Sequence, residues 1–250
     1  MIPLRFRGGL LSLGLGLVLQ AGSARAGQLA VNPVQIKLDA EAPTELLSLR
    51  NNGTSPARYE IHAFAWSETS EGELRLAPTD EVLVFPPVLS LAPGELRNVR
   101  IGTLAAPSAT ERSFRIILDE MPPAVRPAGV AVFLNRISIP IFVATGEPRV
   151  STSVEPLPSA RGAPRFRLRN NGNVHVRPES VSAVALDARG VEVARKTWNG
   201  WYVLPDGERV YSLDGARGAC ASLRSLEVTV RTEGRDQRRV LALPLGACGT

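Results

Sequence analysis

Histidine and cysteine, the side chains on which much catalysis and metal binding depend, are nearly missing from this chain: two of each in 250 residues. His62 lies inside a strand-like run, where a packing or surface role is expected, and His175 follows an Asn-Gly turn and reads as solvent-facing. No glycine-rich phosphate loop and no nucleophile elbow accompanies them. Asp119 and Glu120 are adjacent acids, but neighbours on a strand point to opposite faces and cannot share acid–base work. The chain therefore reads as non-enzymatic, with no metal and no cofactor. Cys220 and Cys248 have no histidines near them and fall short of the four ligands usual for zinc. In an oxidising compartment they read as one disulfide tying the last strand back to its sheet.

A surplus of one charge is also lacking. Arg5, Arg7 and Arg25 belong to the first 26 residues; beyond them 26 basic residues face 24 acidic ones, a net of +2. That excludes the polyelectrolyte surface a nucleic-acid binder needs. Long apolar runs are absent after the N-terminus, and even residues 10–19, broken by Ser12, Gly14 and Gly16, fall short of the ~20 that span a bilayer. With Arg5 and Arg7 before that run and Ala24-Arg25-Ala26 after it, residues 1–26 read as a secretory signal cleaved after Ala26. No membrane insertion of the mature chain is expected. The remaining 224 residues fit two domains of ordinary size.

Sustained apolar period near 3.6 is missing too, which argues against helices. Short runs rich in β-branched and apolar residues take its place, at 34–38, 46–50, 58–66, 82–85, 96–101, 113–118 and 130–142. Turn residues separate them, as in a sandwich rather than in βαβ units. Leu49-Arg50-Asn51-Asn52-Gly53 returns as Leu168-Arg169-Asn170-Asn171-Gly172, an offset of 119. Leu91-Ala92-Pro93-Gly94-Glu95 is echoed by Leu204-Pro205-Asp206-Gly207-Glu208, an offset of 113. Asn-Gly supplies the positive-φ residues of tight turns. Two markers in the same order predict an all-β chain of two tandem immunoglobulin-like β-sandwich domains with a cleft between them. The expected bounds are 27–146 and 147–250.

One predicted strand breaks the usual alternation. From Val130 through Ala131, Val132 and Phe133 to Leu134 it is apolar on both faces, before continuing through Arg136 and Ser138 to Phe142. Either a neighbouring domain covers both faces, or the strand is an edge whose second face waits for a partner. Proteins keep exposed apolar edges only where they are used, and the natural use is to add a strand to another sheet.

The Asn51-Asn52-Gly53 turn, Phe85-Pro86-Pro87, Leu91-Ala92-Pro93-Gly94, residues 97–101, Ser113-Phe114-Arg115, Asp119-Glu120-Met121-Pro122-Pro123 and the strand above follow one another over residues 29–143. In that order they resemble the PapD-like periplasmic chaperones of the chaperone–usher pathway, and residues 136–142 are most similar to its archaic branch. The resemblance implies a periplasmic protein that lends its last first-domain strand to a pilus or fimbrial subunit lacking one, then delivers it to an outer-membrane usher. The subunit-binding strand would be Val130, Ala131, Val132, Phe133 and Leu134, with Ala131 and Phe133 favoured over Val130, Val132 and Leu134 as the groove-filling set. The family anchors the subunit carboxylate with two basic residues in the cleft. Here their places fall at Gln35 and Ser138, and Arg136, ahead of Lys37, becomes the first candidate to replace them. A tandem Ig-like adhesion protein explains the repeat but not the doubly apolar strand. A pilus subunit calls for an N-terminal donor extension, whereas strand-like sequence begins at Leu29.

Overall fold

The computed structural model describes residues 29–106, 108–123, 131–160 and 162–243. The first sandwich runs β1 (Leu29–Asn32), β2 (Ile36–Leu38), β3 (Thr44–Asn51), β4 (Ala57–Glu68), β5 (Leu74–Pro78), β6 (Val82–Phe85), β7 (Val88–Leu91), β8 (Leu96–Thr103), β9 (Arg112–Glu120) and β10 (Arg136–Val143). One sheet has the order β1-β3-β8-β6; the other has β2-β10-β9-β4-β5, with β7 also on β4. The second sandwich runs β11 (Thr152–Ala160), β12 (Ala163–Asn170), β13 (Ser180–Asp187), β14 (Glu192–Asn199), β15 (Glu208–Ser212), a 3-10 helix (Asp214–Ser222), β16 (Leu223–Thr232) and β17 (Arg235–Ala242). Its sheets are β11-β12-β15 and β14-β13-β16-β17.

Alternation drives this layering. Leu47 and Leu49 of β3 and Val99 and Ile101 of β8 point inward, while Ser48, Arg50, Asn98 and Arg100 stay outside. Two such faces close over a dry core, here built around Tyr59, Phe114, Ile116, Leu118, Ile139 and Ile141. A separate core around Phe166, Leu168, Tyr211 and Val228 holds the second sandwich.

The repeated Asn-Asn-Gly turns work differently from the sequence expectation. Neither Gly53 nor Gly172 has positive φ. The first asparagine of each motif is buried instead, and its side chain makes the turn. Asn51 Oδ1 accepts from Gly53 N–H while its Nδ2 donates to Ser55 O and Leu91 O. Asn170 repeats this with Gly172 N–H, Val174 O and Val203 O. Glycine is required at 172 because a Cβ there would meet Arg149 O at 2.2 Å.

Three further expectations are corrected. The strand expected over 34–38 starts only at Ile36. The strand expected over 130–142 starts at Arg136, and Ala131 to Asn135 carry no regular structure; Val130 lies outside the described residues. The reason is the partner strand. β9 stops at Glu120, Met121 N–H goes to Arg58 O, and Pro122 and Pro123 have no N–H to offer. His175, expected in solvent, is largely buried at the junction between the sandwiches. Its ring stacks on Phe142 at 3.6 Å, and its Nδ1 lies 2.7 Å from Glu111 Oε1. Cys220 is disulfide-bonded, and Cys248 lies outside the described residues.

That junction is extensive. Trp66, Phe142, Tyr202 and Leu204 form a buried aromatic cluster. Glu111 N–H donates to Asn173 O, Val210 N–H to Ser70 O, and Trp201 Nε1–H to Glu68 Oε1 at 2.8 Å. Burial raises the Glu68 carboxyl above its ordinary value, against the Trp201 hydrogen bond and the charges of Arg209 and Arg115.

Two stability predictions follow from these contacts. Asn51→Ala strands two carbonyls and a turn N–H, so it is expected to cost about 1–3 kcal/mol in urea unfolding; an unchanged midpoint would contradict the turn assignment. A carboxyl raised by folding contributes fully below its unfolded value and loses that contribution as pH rises through the folded one. Glu68→Gln keeps the acceptor for Trp201. Relative to the parent protein it should therefore gain stability between acidic and neutral pH, and a pH-independent difference would contradict the assignment.

Candidate functional site

β10 is laddered along its full length on one side. Arg136 pairs with Asp119, Ser138 with Ile117, Pro140 with Arg115 and Val143 with Arg112. On its other side β2 covers only Ile141, Phe142 and Val143, in parallel. Among the described residues, 136–140 are thus an open edge, and the segment from Ala131 to Leu134 runs into it with no described strand on either side. All four residues of that segment are exposed, Phe133 most of all at 86%. In β10, Ile137, Ile139, Ile141 and Val143 face the core. Carrying period two backward puts Asn135, Phe133 and Ala131 on that side, past the end of the core.

The edges of the larger sheet of the second sandwich are guarded. β17 presents Arg235, Arg238 and Arg239, and β14 presents Arg195 and Lys196, charges that discourage edge-to-edge pairing. Four arginines from Arg231 to Arg239 crowd the β16–β17 hairpin, with Arg231 paired to Asp236 and Arg238 to Glu227. No charge interrupts Ala131 to Leu134.

The outward face of the β10 sheet looks into the cleft, and at its centre is a residue that sequence reasoning passed over. Arg115 lies in β9 opposite both Phe64 and Pro140, and it is 4% exposed. Its guanidinium sits 3.9 Å over the Trp66 ring and 5.5 Å from that of Trp201. Nη1 donates to Ser138 Oγ at 2.9 Å, while Nε and Nη2 are buried with no protein acceptor among the described residues. Burial holds this guanidinium below its ordinary pKa, with Tyr202 and Glu68 opposing the shift. The missed signal was an arginine in the middle of an otherwise apolar run, Phe114 to Leu118.

The expected anchor residues are placed as follows. Ser138 is exposed and backed by Arg115. Gln35 accepts the Tyr202 hydroxyl hydrogen bond at 3.2 Å, on the cleft side. Lys37 is exposed and sits opposite Phe142. Arg136 is paired with Asp119, six residues and about 20 Å along the strand from Phe142. Among the described residues no group of His, Cys, Asp and Glu could hold a metal, and no helix is long and apolar enough to cross a membrane.

Residues 28–145 match the family described as pili and flagellar-assembly chaperone, PapD N-terminal domain. No curated protein sequence gives a significant match. Among solved structures the chain is similar to the chaperone–tip adhesion subunit pre-assembly complex CsuC–CsuE of archaic Csu pili from Acinetobacter baumannii. That match has 19% identity and a TM-score of 0.59, over 86% of this chain and 98% of the other. The YadV chaperone is similar at 15% identity and TM-score 0.61, over 87% and 100% of the two chains. A third likeness is to the SafA pilin–SafB chaperone complex of Salmonella enterica, at 14% and 0.58, over 88% and 99%. These distant likenesses reach across both sandwiches and carry the fold, while the motif order from the Asn51 turn to the open strand lies inside the matched segment. The first sandwich of the chain, residues 28–145, is thus a PapD N-terminal domain of the pili and flagellar-assembly chaperone family.

Proposed function

We propose that this chain is a periplasmic, non-enzymatic chaperone that completes the sandwich of a pilus subunit with its own residues 130–134 and delivers the subunit to an outer-membrane usher. Residues 1–26 act as the secretory signal, and 27–146 and 147–250 as the two domains. The observation carrying this reading is the uncharged, exposed segment Ala131 to Leu134 leading into an edge that β2 leaves open. An added strand gains backbone hydrogen bonds along that edge, and its alternate side chains fill pockets in the acceptor. Backward alternation from Ile137 supports Ala131 and Phe133 as the groove-filling pair. Fully burying such a side chain contributes about 1.5–3 kcal/mol, most of it here from Phe133.

In the cleft, Arg115 and Ser138 together replace the basic anchor that the family places there. Arg115 Nη1 occupies a lone pair of Ser138 Oγ and leaves the hydroxyl proton to point outward at a carboxylate. The buried positive charge behind it polarises that hydroxyl and strengthens the bond it donates. Gln35, Lys37 and Arg136 are weaker candidates for the same role. Envelope adhesion without chaperoning leaves the open edge and the uncharged segment leading into it unexplained.

Co-expression with its fimbrial subunit should give a one-to-one complex from periplasm, and Phe133→Asp should reduce capture by roughly 10- to 100-fold while the chaperone stays folded. Recovery of free monomer alone from the parent protein would remove the chaperone reading, and undiminished capture by the variant would remove the proposed register. Arg115→Met, which keeps the apolar packing, and Ser138→Ala should each lower subunit recovery. A subunit shortened so that its C-terminal carboxylate no longer reaches the cleft should be captured equally by both variants and the parent. Equal recovery of the full-length subunit by all three proteins would contradict the anchor.

A further inference from the structure

The last rung between β9 and β10 is built from a side chain rather than from backbone alone. Glu120 N–H donates to Asn135 O at 2.9 Å in the ordinary way. The return bond of the rung does not go to a backbone carbonyl. Asn135 N–H donates to Glu120 Oε2 at 3.0 Å, and Asn135 Nδ2–H donates to the same oxygen at 2.6 Å. Three hydrogen bonds, two of them charge-assisted, thus converge on Asn135, the residue immediately before the loose segment.

The surroundings make this a fixed point. Tyr59, opposite Glu120 in β4, is buried in the core. Its hydroxyl is pushed up to about 12, first by burial and then by the Glu120 charge, while a hydrogen bond from the Asn135 side chain pulls the other way. One residue further on, Arg136 pairs with Asp119. Beyond Glu120 the β9 side offers no N–H to residues 131–134, since Pro122 and Pro123 lack one and Met121 N–H is spent on Arg58 O. The chain is therefore gripped at Asn135 and leaves the ladder one residue earlier.

We infer that Glu120 and Asn135 are positioning residues for subunit capture: their side-chain clamp fixes where the lent segment leaves its own sandwich and the direction in which it enters the acceptor groove. The inference rests on the chaperone reading and deepens it. A segment tethered at a fixed point and angle has less freedom to lose on binding than one whose root can sway. The bonds of the clamp lie within the chaperone's own chain. It acts through the strand.

The test uses the full chain and its co-expressed fimbrial subunit. Glu120→Ala is expected to lower subunit capture by about fivefold to tenfold, as loss of charge-assisted hydrogen bonds would do. Faster amide exchange at Asn135 and Arg136 in the free protein should accompany it, with exchange in β17 unchanged. Glu120→Gln, which keeps a carbonyl oxygen at the same reach, should recover most of both. Asn135→Ala, lying at the strand mouth, supplies an independent arm should Glu120→Ala fail to fold, and it should reproduce the loss. Capture by the parent protein but equally well by Glu120→Ala and Asn135→Ala overturns the clamp. So does a loss of capture that Glu120→Gln fails to recover. Failure of the parent protein to capture any subunit points instead at the chaperone reading, while the exchange measurement still reports on whether the clamp holds Asn135.

Discussion

β10 is paired along its whole length with β9 and for only three residues with β2, and this lopsided pairing organises the first sandwich. The β9 ladder supplies enough backbone hydrogen bonds, with Ile139 and Ile141 in the core, to hold the strand rigidly. The short contact with β2 leaves a row of peptide groups facing water. A sheet that ends in such a row is normally defended, and β14 and β17 are defended by arginine and lysine. At β10 the open edge coincides with the run of apolar residues that leads into it. Covering both would give a partner backbone bonds and apolar burial together, the two terms from which strand addition draws its affinity.

The cleft supplies a third term of a different kind. A guanidinium taken out of water is costly unless its donors are occupied, and Arg115 has only Ser138 as a protein acceptor among the described residues. Trp66 and Trp201 shield it, and Glu68 balances part of its charge. The aromatic cluster of Trp66, Phe142, Tyr202 and Leu204, with His175 stacked on Phe142, fixes the second sandwich against this face. In the proposed binding mode, apolar capture at the edge and carboxylate capture in the cleft are set at a fixed separation along one strand. A ligand bound in that mode would have to satisfy both, which is a means of selecting a chain end and a groove of matching geometry.

The two sandwiches were legible in the sequence because alternation and turn chemistry are local. The repeat at Asn51 and Asn170 located equivalent corners even though its mechanism lay in asparagine side chains rather than in glycine φ. The apolar segment at 131–134 was equally visible, but its lack of strand structure was not. That depends on β9 ending at Glu120 and on Pro122 and Pro123 just beyond it, which offer no N–H to a neighbouring strand, and the pairing of distant segments is a tertiary matter. His175 and Arg115 were misjudged or passed over for a similar reason. Their neighbours Phe142, Glu111, Trp66 and Trp201 come from distant parts of the chain, and no periodicity records such a meeting.

Amide hydrogen exchange across residues 131–140, compared between the free protein and its complex with a fimbrial subunit, tests the central claim most directly. An open edge that becomes the interior of a shared sheet should pass from fast exchange to strong protection there, while β17 stays as it was. Protection gained elsewhere with residues 131–140 still exchanging freely would contradict strand lending as the basis of binding.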